Sequence, residues 1–113
     1  MSIKTEDHNV WHDPNTSTVF FRGFLRLDGM EEYQPVMELL LSAIGQSPIL
    51  TLNLRELEFL NSSGISMLSM FVVKVREKGS VQMVLQGSNK VLWQTKSLKN
   101  LQRLMPSLKL EFT

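Results

Sequence analysis

Apolar and polar residues alternate in four segments of the chain. A period of two places successive side chains on opposite sides of the backbone, so it predicts β-strands. The clearest example is residues 50–54, where leucines alternate with Thr51 and Asn53. The four predicted strands span residues 18–27, 49–54, 81–86 and 108–112.

Between these strands, apolar residues recur at a spacing of three or four, which is typical of helices with one buried face. The first predicted helix has Pro35 in its first turn, where a missing N–H group costs nothing, and it ends at Gly45. The second predicted helix, at residues 62–78, is the best marked. The third spans residues 97–105, whereas residues 88–96 fit either a loop or a helix.

The order of the predicted elements, β-α-β-α-β-α-β, indicates an α/β fold. A right-handed crossover through the second helix should place strands 49–54 and 81–86 parallel to each other. We therefore predict a single domain at residues 17–113, with a mixed sheet of four or five strands and about three to four helices. Residues 1–16 are polar and show no periodicity, so we expect a loosely ordered N-terminal tail.

The composition of the chain excludes several kinds of chemistry. The 113 residues include no cysteine, so disulfides and thiolate chemistry cannot occur, and a reducing compartment is compatible with the chain. The net charge of +1 gives no signal for nucleic acid, and no apolar run approaches the roughly 18 residues that a membrane span needs. The polar start of the chain lacks the apolar core of a signal peptide, and we expect a cytoplasmic protein.

Catalytic and metal sites find little support in the sequence. His8 and His12 have a spacing that suits a metal on one helix face, but no third ligand accompanies them. No other histidine occurs, so a serine nucleophile in the predicted domain has no histidine base. No glycine-rich phosphate loop is found either. We therefore expect a protein that is not an enzyme and that uses no cofactor or metal.

The segment 50–64 combines an apolar strand, a short connector with an aromatic residue, and the sequence Asn-Ser-Ser-Gly at the start of the strongest helix. This arrangement resembles the central signature of the STAS domain family, in particular that of its anti-sigma-factor antagonists. The similarity in the order of elements covers about residues 17–112. Where the family commonly has Asp, this chain has Asn61, which also caps a helix well but carries no negative charge.

The resemblance implies a signalling switch without catalytic activity. In the antagonist branch, the unphosphorylated protein binds a serine kinase that also acts as an anti-sigma factor. The kinase phosphorylates the first serine of the motif, the complex separates, and a PP2C-type phosphatase restores the free form. Carried over by position, the acceptor is Ser62, with Ser63 as the second choice. The implied role is partner switching in the regulation of transcription.

The same serine can be interpreted from its position alone. A serine at a helix start is often exposed, and a phosphate there meets free N–H groups and the positive end of the helix dipole. The alternative is that Asn61-Ser62-Ser63-Gly64 only caps the helix, as many such sequences do.

The second predicted helix carries more apolar residues than one narrow stripe requires. Its predicted core stripe consists of Ile65, Leu68, Val72 and Val75. The apolar residues outside this stripe form either a second buried face or an exposed patch for a partner, and we favour the patch, with Met70 and Phe71 substantially exposed. The predicted partner-binding residues are Asn61, Ser62, Ser63, Gly64, Ser66, Met67, Met70, Phe71 and Lys74.

Two other functions fit the sequence. One is a constitutive protein–protein scaffold that uses the same helix surface without phosphorylation. The other is a small-ligand or nucleotide sensor, which is supported only by analogy at the level of the fold. We expect neither nucleic acid nor membrane as a partner. The C-terminal third is rich in positive charge, which indicates a solvated face first, an acidic partner or anionic ligand second, and nucleic acid third. Its cations are Lys90, Lys96, Lys99, Arg103 and Lys109.

Overall fold

A computed structural model of the protein describes residues 2–113. Within this range the chain forms six strands and three helices. In chain order they are β1 (Ser2–Lys4), β2 (His8–Asp13), β3 (Thr18–Leu25), α1 (Gly29–Ile44), β4 (Ile49–Leu60), α2 (Ser62–Lys78), β5 (Gln82–Gly87), α3 (Leu92–Leu104) and β6 (Lys109–Phe112).

The six strands form one mixed sheet in the order β1-β2-β3-β4-β5-β6. Strands β1, β2 and β3 pair antiparallel, whereas β3, β4, β5 and β6 pair parallel. The predicted α/β class, the mixed sheet and the parallel pairing of β4 with β5 are therefore confirmed. The sheet has six strands rather than the four or five expected, because the N-terminal segment contributes two.

The N-terminal segment differs from the loosely ordered tail expected at residues 1–16. Met1 lies outside the described residues, but β1 and β2 form a hairpin that pairs with β3. Val10 of this hairpin is fully buried, and the ring of Trp11 stacks on Phe20 at 5.0 Å. The prediction failed because β2 alternates mainly between polar residues, which hides the period of a strand.

Strand β4 is longer than its predicted span of residues 49–54. The buried residues Leu50, Leu52 and Leu54 keep the period of two, but the next buried residues are Leu57 and Leu60. The pairing with β3 shifts register twice in this stretch, so β4 carries an additional residue at each shift. Such bulges interrupt the alternation without ending the strand, and the segment 55–60 therefore resembled a connector.

Two helices begin earlier than predicted. α1 begins at Gly29, so Pro35 lies inside the helix instead of in its first turn. α3 begins at Leu92 instead of residue 97, and its first turn includes the fully buried Gln94. The Gln94 amide donates hydrogen bonds to backbone carbonyls of β4, which explains why a polar residue occupies an internal position.

The helices pack on one face of the sheet, and α2 contacts both α1 and α3. Leucines of β4 and Met83 and Leu85 of β5 point into this core. On the opposite face of the sheet, Phe24 and Phe59 remain about 40% exposed, and the Arg26 guanidinium lies 5.4 Å and 5.9 Å from their ring centres. None of the helices in the described part of the chain has the length and apolar character needed to cross a bilayer.

Candidate functional site

The Asn-Ser-Ser-Gly segment lies where β4 ends and α2 begins. The carboxyl ends of the parallel strands meet at this edge of the sheet, which is where binding sites collect in α/β folds. Asn61 has an extended backbone and is the N-cap of α2, and Ser62 is the first helical residue. The predicted start of this helix is therefore correct to the residue.

The Asn61 side chain connects three parts of the fold. Its Oδ1 accepts hydrogen bonds from the Gly64 N–H at 3.0 Å and from the Tyr33 hydroxyl of α1 at 2.6 Å. Its Nδ2 donates to the carbonyl oxygen of Leu27, after the end of β3, at 2.8 Å. The Asn61 backbone N–H donates to the Leu25 carbonyl oxygen. These bonds fix the start of α2 against the β3–α1 connection.

The bond to Leu27 gives a structural reason for Asn at this position. A carboxylate could still accept from Gly64 and Tyr33, but it has no hydrogen to donate to the Leu27 carbonyl. An ionised Asp would place an oxygen of like polarity against that carbonyl. The departure from the Asp of the resembled motif therefore matches the surroundings of Asn61 in this chain.

Gly64 is required at its position by close packing. A Cβ atom there would overlap Leu60 Cδ1 and would lie 2.7 Å from the Tyr33 hydroxyl oxygen. Burial raises the pKa of Tyr33 above its ordinary 10.0 and outweighs the lowering by backbone hydrogen bonding. The Tyr33 hydroxyl thus stays protonated at neutral pH and can donate to Asn61.

The two serines differ in exposure. Ser62 is exposed and Ser63 is half-buried, and neither hydroxyl has a hydrogen-bond partner within residues 2–113. The first turn of α2 contains no acidic side chain. A negative group on Ser62 would therefore meet the positive end of the helix without repulsion from a carboxylate in that turn.

Four exposed residues at intervals of four form a row along α2, which we call the outer row: Ser62, Ser66, Met70 and Lys74. The Met70 side chain is 48% exposed, which makes it one of the more exposed large apolar residues of the chain. The structure thus places these four of the predicted partner-binding residues on one accessible surface. Their role in binding remains a prediction.

The expectation that Phe71 is exposed is wrong, and Met67 is also fully buried. The core stripe of α2 is wider than the four residues predicted, because α1 packs against the side of the helix that holds Met67 and Phe71. Ile65, by contrast, is only half-buried. The buried residues of α2 are Gly64, Met67, Leu68, Phe71, Val72 and Val75.

A shallow groove of about 320 Å³ runs between α2 and α3. We call it the α2–α3 groove; it is lined by Ser69, Met70, Val73, Lys74, Glu77 and Leu104. Sequence reasoning missed this groove because it depends on where α3 packs, and the period of α2 alone does not show that. Within residues 2–113, no three histidines or carboxylates lie close enough to bind a metal ion.

Three solved structures share this fold at low sequence identity. A chain of the complex of the diguanylate cyclase SiaD with its activator SiaC, from Pseudomonas aeruginosa, is 13% identical, with a TM-score of 0.72; the match covers 99% of this chain and 97% of that chain. Apo-SiaC from the same organism is 10% identical, with a TM-score of 0.71 and coverages of 100% and 98%. An anti-sigma factor antagonist from Mycobacterium paratuberculosis is 17% identical, with a TM-score of 0.57 and coverages of 96% and 82%.

No protein-family model matches the chain, and no curated protein sequence matches it either. The structural likenesses nevertheless establish the class of fold, which is STAS-like. The resemblance noted in the sequence around residues 50–64 is confirmed at this level.

Proposed function

We propose that the protein is a signalling switch without catalytic activity, which binds a partner protein through the outer row of α2 that begins at Ser62. Phosphorylation of Ser62 releases the partner. The observation that carries this proposal is the position of Ser62, an exposed serine at the head of the exposed row that leads to Met70. A STAS-like fold shared with an anti-sigma factor antagonist supports it.

The physical basis of the switch is a charge that the free protein tolerates and the complex does not. A phosphate adds roughly −1.5 to −2 charges at neutral pH. At the helix start this charge is favoured by about 0.3–1 kcal/mol, so the fold persists. In an interface, an unpaired buried charge can cost several kcal/mol, so the partner dissociates.

The residues of the motif have different tasks in this proposal. Ser62, Ser66, Met70 and Lys74 touch the partner, because they are exposed. Asn61 and Gly64 fix the helix start, and Ser63 supports it as a half-buried neighbour. The partner is a serine kinase of the anti-sigma type, a PP2C-type phosphatase reverses the modification, and the pathway operates in the cytoplasm and controls transcription.

A second candidate is an activator that binds a diguanylate cyclase. The likeness to SiaC, an activator of SiaD, supports it, since the match to apo-SiaC covers 98% of that chain and 100% of this one, the N-terminal hairpin included. The match to the anti-sigma factor antagonist covers 82% of that chain. In both candidates the protein acts by binding another protein, and the identity of that protein separates them.

Comparison of two variants as bait in an extract of the protein's own cells tests the switch. Ser62→Ala should retain its partner permanently, and Ser62→Asp should fold but retain it poorly. Identification of the retained protein as a kinase or as a cyclase decides between the candidates. Equal retention by both variants would instead favour a constitutive scaffold.

A further inference from the structure

Charge is distributed unevenly over the helical layer. The stretch 27–54, which includes α1, contains no Lys or Arg, and its exposed acidic residues are Asp28, Glu31, Glu32 and Glu38. The stretch 88–110, which includes α3, contains no Asp or Glu, and its exposed cations are Lys90, Lys96, Lys99, Arg103 and Lys109. Because α2 packs against both helices, one of its sides borders an acidic surface and the other a basic surface.

The cations of α3 are not neutralised by neighbours. Ion pairs in the described part of the chain join Arg22 with Glu56 and Lys109 with Glu111, and neither pair involves α3. Lys96, Lys99 and Arg103 follow one another at intervals of three and four, so they lie on one side of that helix. Their positive charge is available to a partner.

The α2–α3 groove lies next to this basic side. Its apolar surface comes from Met70 and from the half-buried Val73 and Leu104, and Arg103 directly precedes Leu104 in α3. The Arg76 guanidinium donates a hydrogen bond of 2.9 Å to the Leu104 carbonyl oxygen, which ties α2 to α3. The groove is thus already formed in the free protein; its lining is mainly apolar and carries one cation, Lys74, and one carboxylate, Glu77.

We propose that the α2–α3 groove binds an amphipathic helix of the partner protein, with Asp and Glu residues beside its apolar face. An apolar groove accepts the apolar side of such a helix. The exposed cations of α3, among them Arg103 next to Leu104, select acidic flanks over basic ones. The α2 residues that line the groove, from Ser69 to Glu77, rise about 12 Å along the helix axis, which matches about two turns of a bound helix. This inference rests on the proposed function, since it gives the partner segment a chemical class.

The groove also explains how Ser62 can act on the partner. Ser62, Ser66, Ser69 and Val73 follow at intervals of four, three and four, so Ser62 lies on the groove side of α2. A phosphate on Ser62 then lies on the groove side of α2, about 10 Å along the helix axis before Ser69. There it repels an acidic helix, whereas it would attract a basic one.

Two synthetic peptides test the chemical class of the ligand. Both are lactam-stapled helices with the same leucine face, and their other positions carry Glu in one and Lys in the other. Fluorescence anisotropy measures binding to the full chain, and amide chemical shifts locate the site. We expect the Glu peptide to bind at least about tenfold tighter than the Lys peptide and to shift residues of the groove.

Charge-reversal variants then test the location. Lys96→Glu combined with Arg103→Glu should weaken the binding of the Glu peptide by about tenfold or more. The matched control, Lys4→Glu combined with Arg26→Glu, makes the same change in net charge on the opposite face of the sheet. It should weaken the binding of the Glu peptide by less than about twofold. Thermal melting confirms that each variant is folded.

Several results would overturn the groove proposal: no preference for the Glu peptide, equal loss in both double variants, or shifts outside α2 and α3. Binding of phosphatidylglycerol vesicles that depends on Lys96 and Arg103, without peptide binding, would assign the surface to a membrane instead. The switch is tested separately with Ser62→Asp. If the Glu peptide binds this variant as it binds the wild type, the groove assignment stands and the switch through Ser62 fails.

Discussion

The substitution Asn61→Asp examines the hydrogen bonds that hold the start of α2. It changes one side-chain nitrogen to oxygen and leaves the bonds from Gly64 and Tyr33 possible. It removes the hydrogen that Asn61 Nδ2 donates to the Leu27 carbonyl over 2.8 Å. The variant thus isolates the one contact that distinguishes Asn from Asp at this N-cap.

The lost hydrogen bond to Leu27 should cost more free energy than the new charge gains from the helix dipole. An unsatisfied carbonyl costs about 1–3 kcal/mol, and the ionised carboxylate adds repulsion at that contact. The helix dipole returns only about 0.3–1 kcal/mol. We expect Asn61→Asp to lower the free energy of unfolding by about 1–2 kcal/mol at neutral pH, and the melting temperature by about 4–8 °C.

Urea unfolding followed by circular dichroism measures this difference. The protonated carboxyl can donate to Leu27 again, so the deficit should shrink as the pH falls toward about 4. Ser62→Asp is the matched control: it adds the same charge one residue later, away from Leu27, and should stay within about 1 kcal/mol of the wild type. If Asn61→Asp equals or exceeds the wild type in stability at neutral pH, the bond to Leu27 does not explain the choice of Asn.

Three further predictions concern the same region. Gly64→Ala should lower the free energy of unfolding by about 1–3 kcal/mol, since the new methyl group collides with Leu60, and urea unfolding checks this. Met70→Glu should weaken partner binding and change the free energy of unfolding by less than about 0.5 kcal/mol, whereas the buried control Met67→Glu should largely unfold the chain. An equal loss of stability in both variants would show that Met70 belongs to the core. The pKa of Tyr33 is raised in the folded state, so its protonated hydroxyl contributes stability that is complete below about pH 10 and is lost as the pH rises through the folded pKa. Tyr33→Phe should remove this loss of stability at alkaline pH, as measured by urea unfolding at a series of pH values.

The parts of the fold that follow from local periodicity could be predicted. Strands β4 and β5 and helix α2 have regular apolar spacing, and the N-cap Asn61 and the C-cap Gly79 mark the ends of α2. Three features could not be predicted: the bulges of β4, the hairpin of β1 and β2, and the first turn of α3. Tertiary contacts stabilise them, and their apolar residues do not recur at the regular spacing of a strand or helix.

The candidate site was predictable only in part, for the same reason. The cap and the exposed Ser62 follow from residues 61–64 alone. The partners of Asn61 do not, because Leu27 and Tyr33 are 34 and 28 residues away in sequence. Likewise the burial of Phe71 depends on α1, which packs against α2. The periodicity of α2 alone did not decide whether that side of the helix is buried or exposed.

Mass spectrometry of the protein isolated from its own cells shows whether Ser62 is the phosphate acceptor. We expect a phosphate on Ser62 in the wild type, retention of that phosphate in Ser63→Ala, and its loss in Ser62→Ala. A phosphate that persists in Ser62→Ala and disappears in Ser63→Ala would contradict the assignment. If no form of the protein ever carries phosphate, the protein is not a phosphorylation switch and acts as a constitutive binding module.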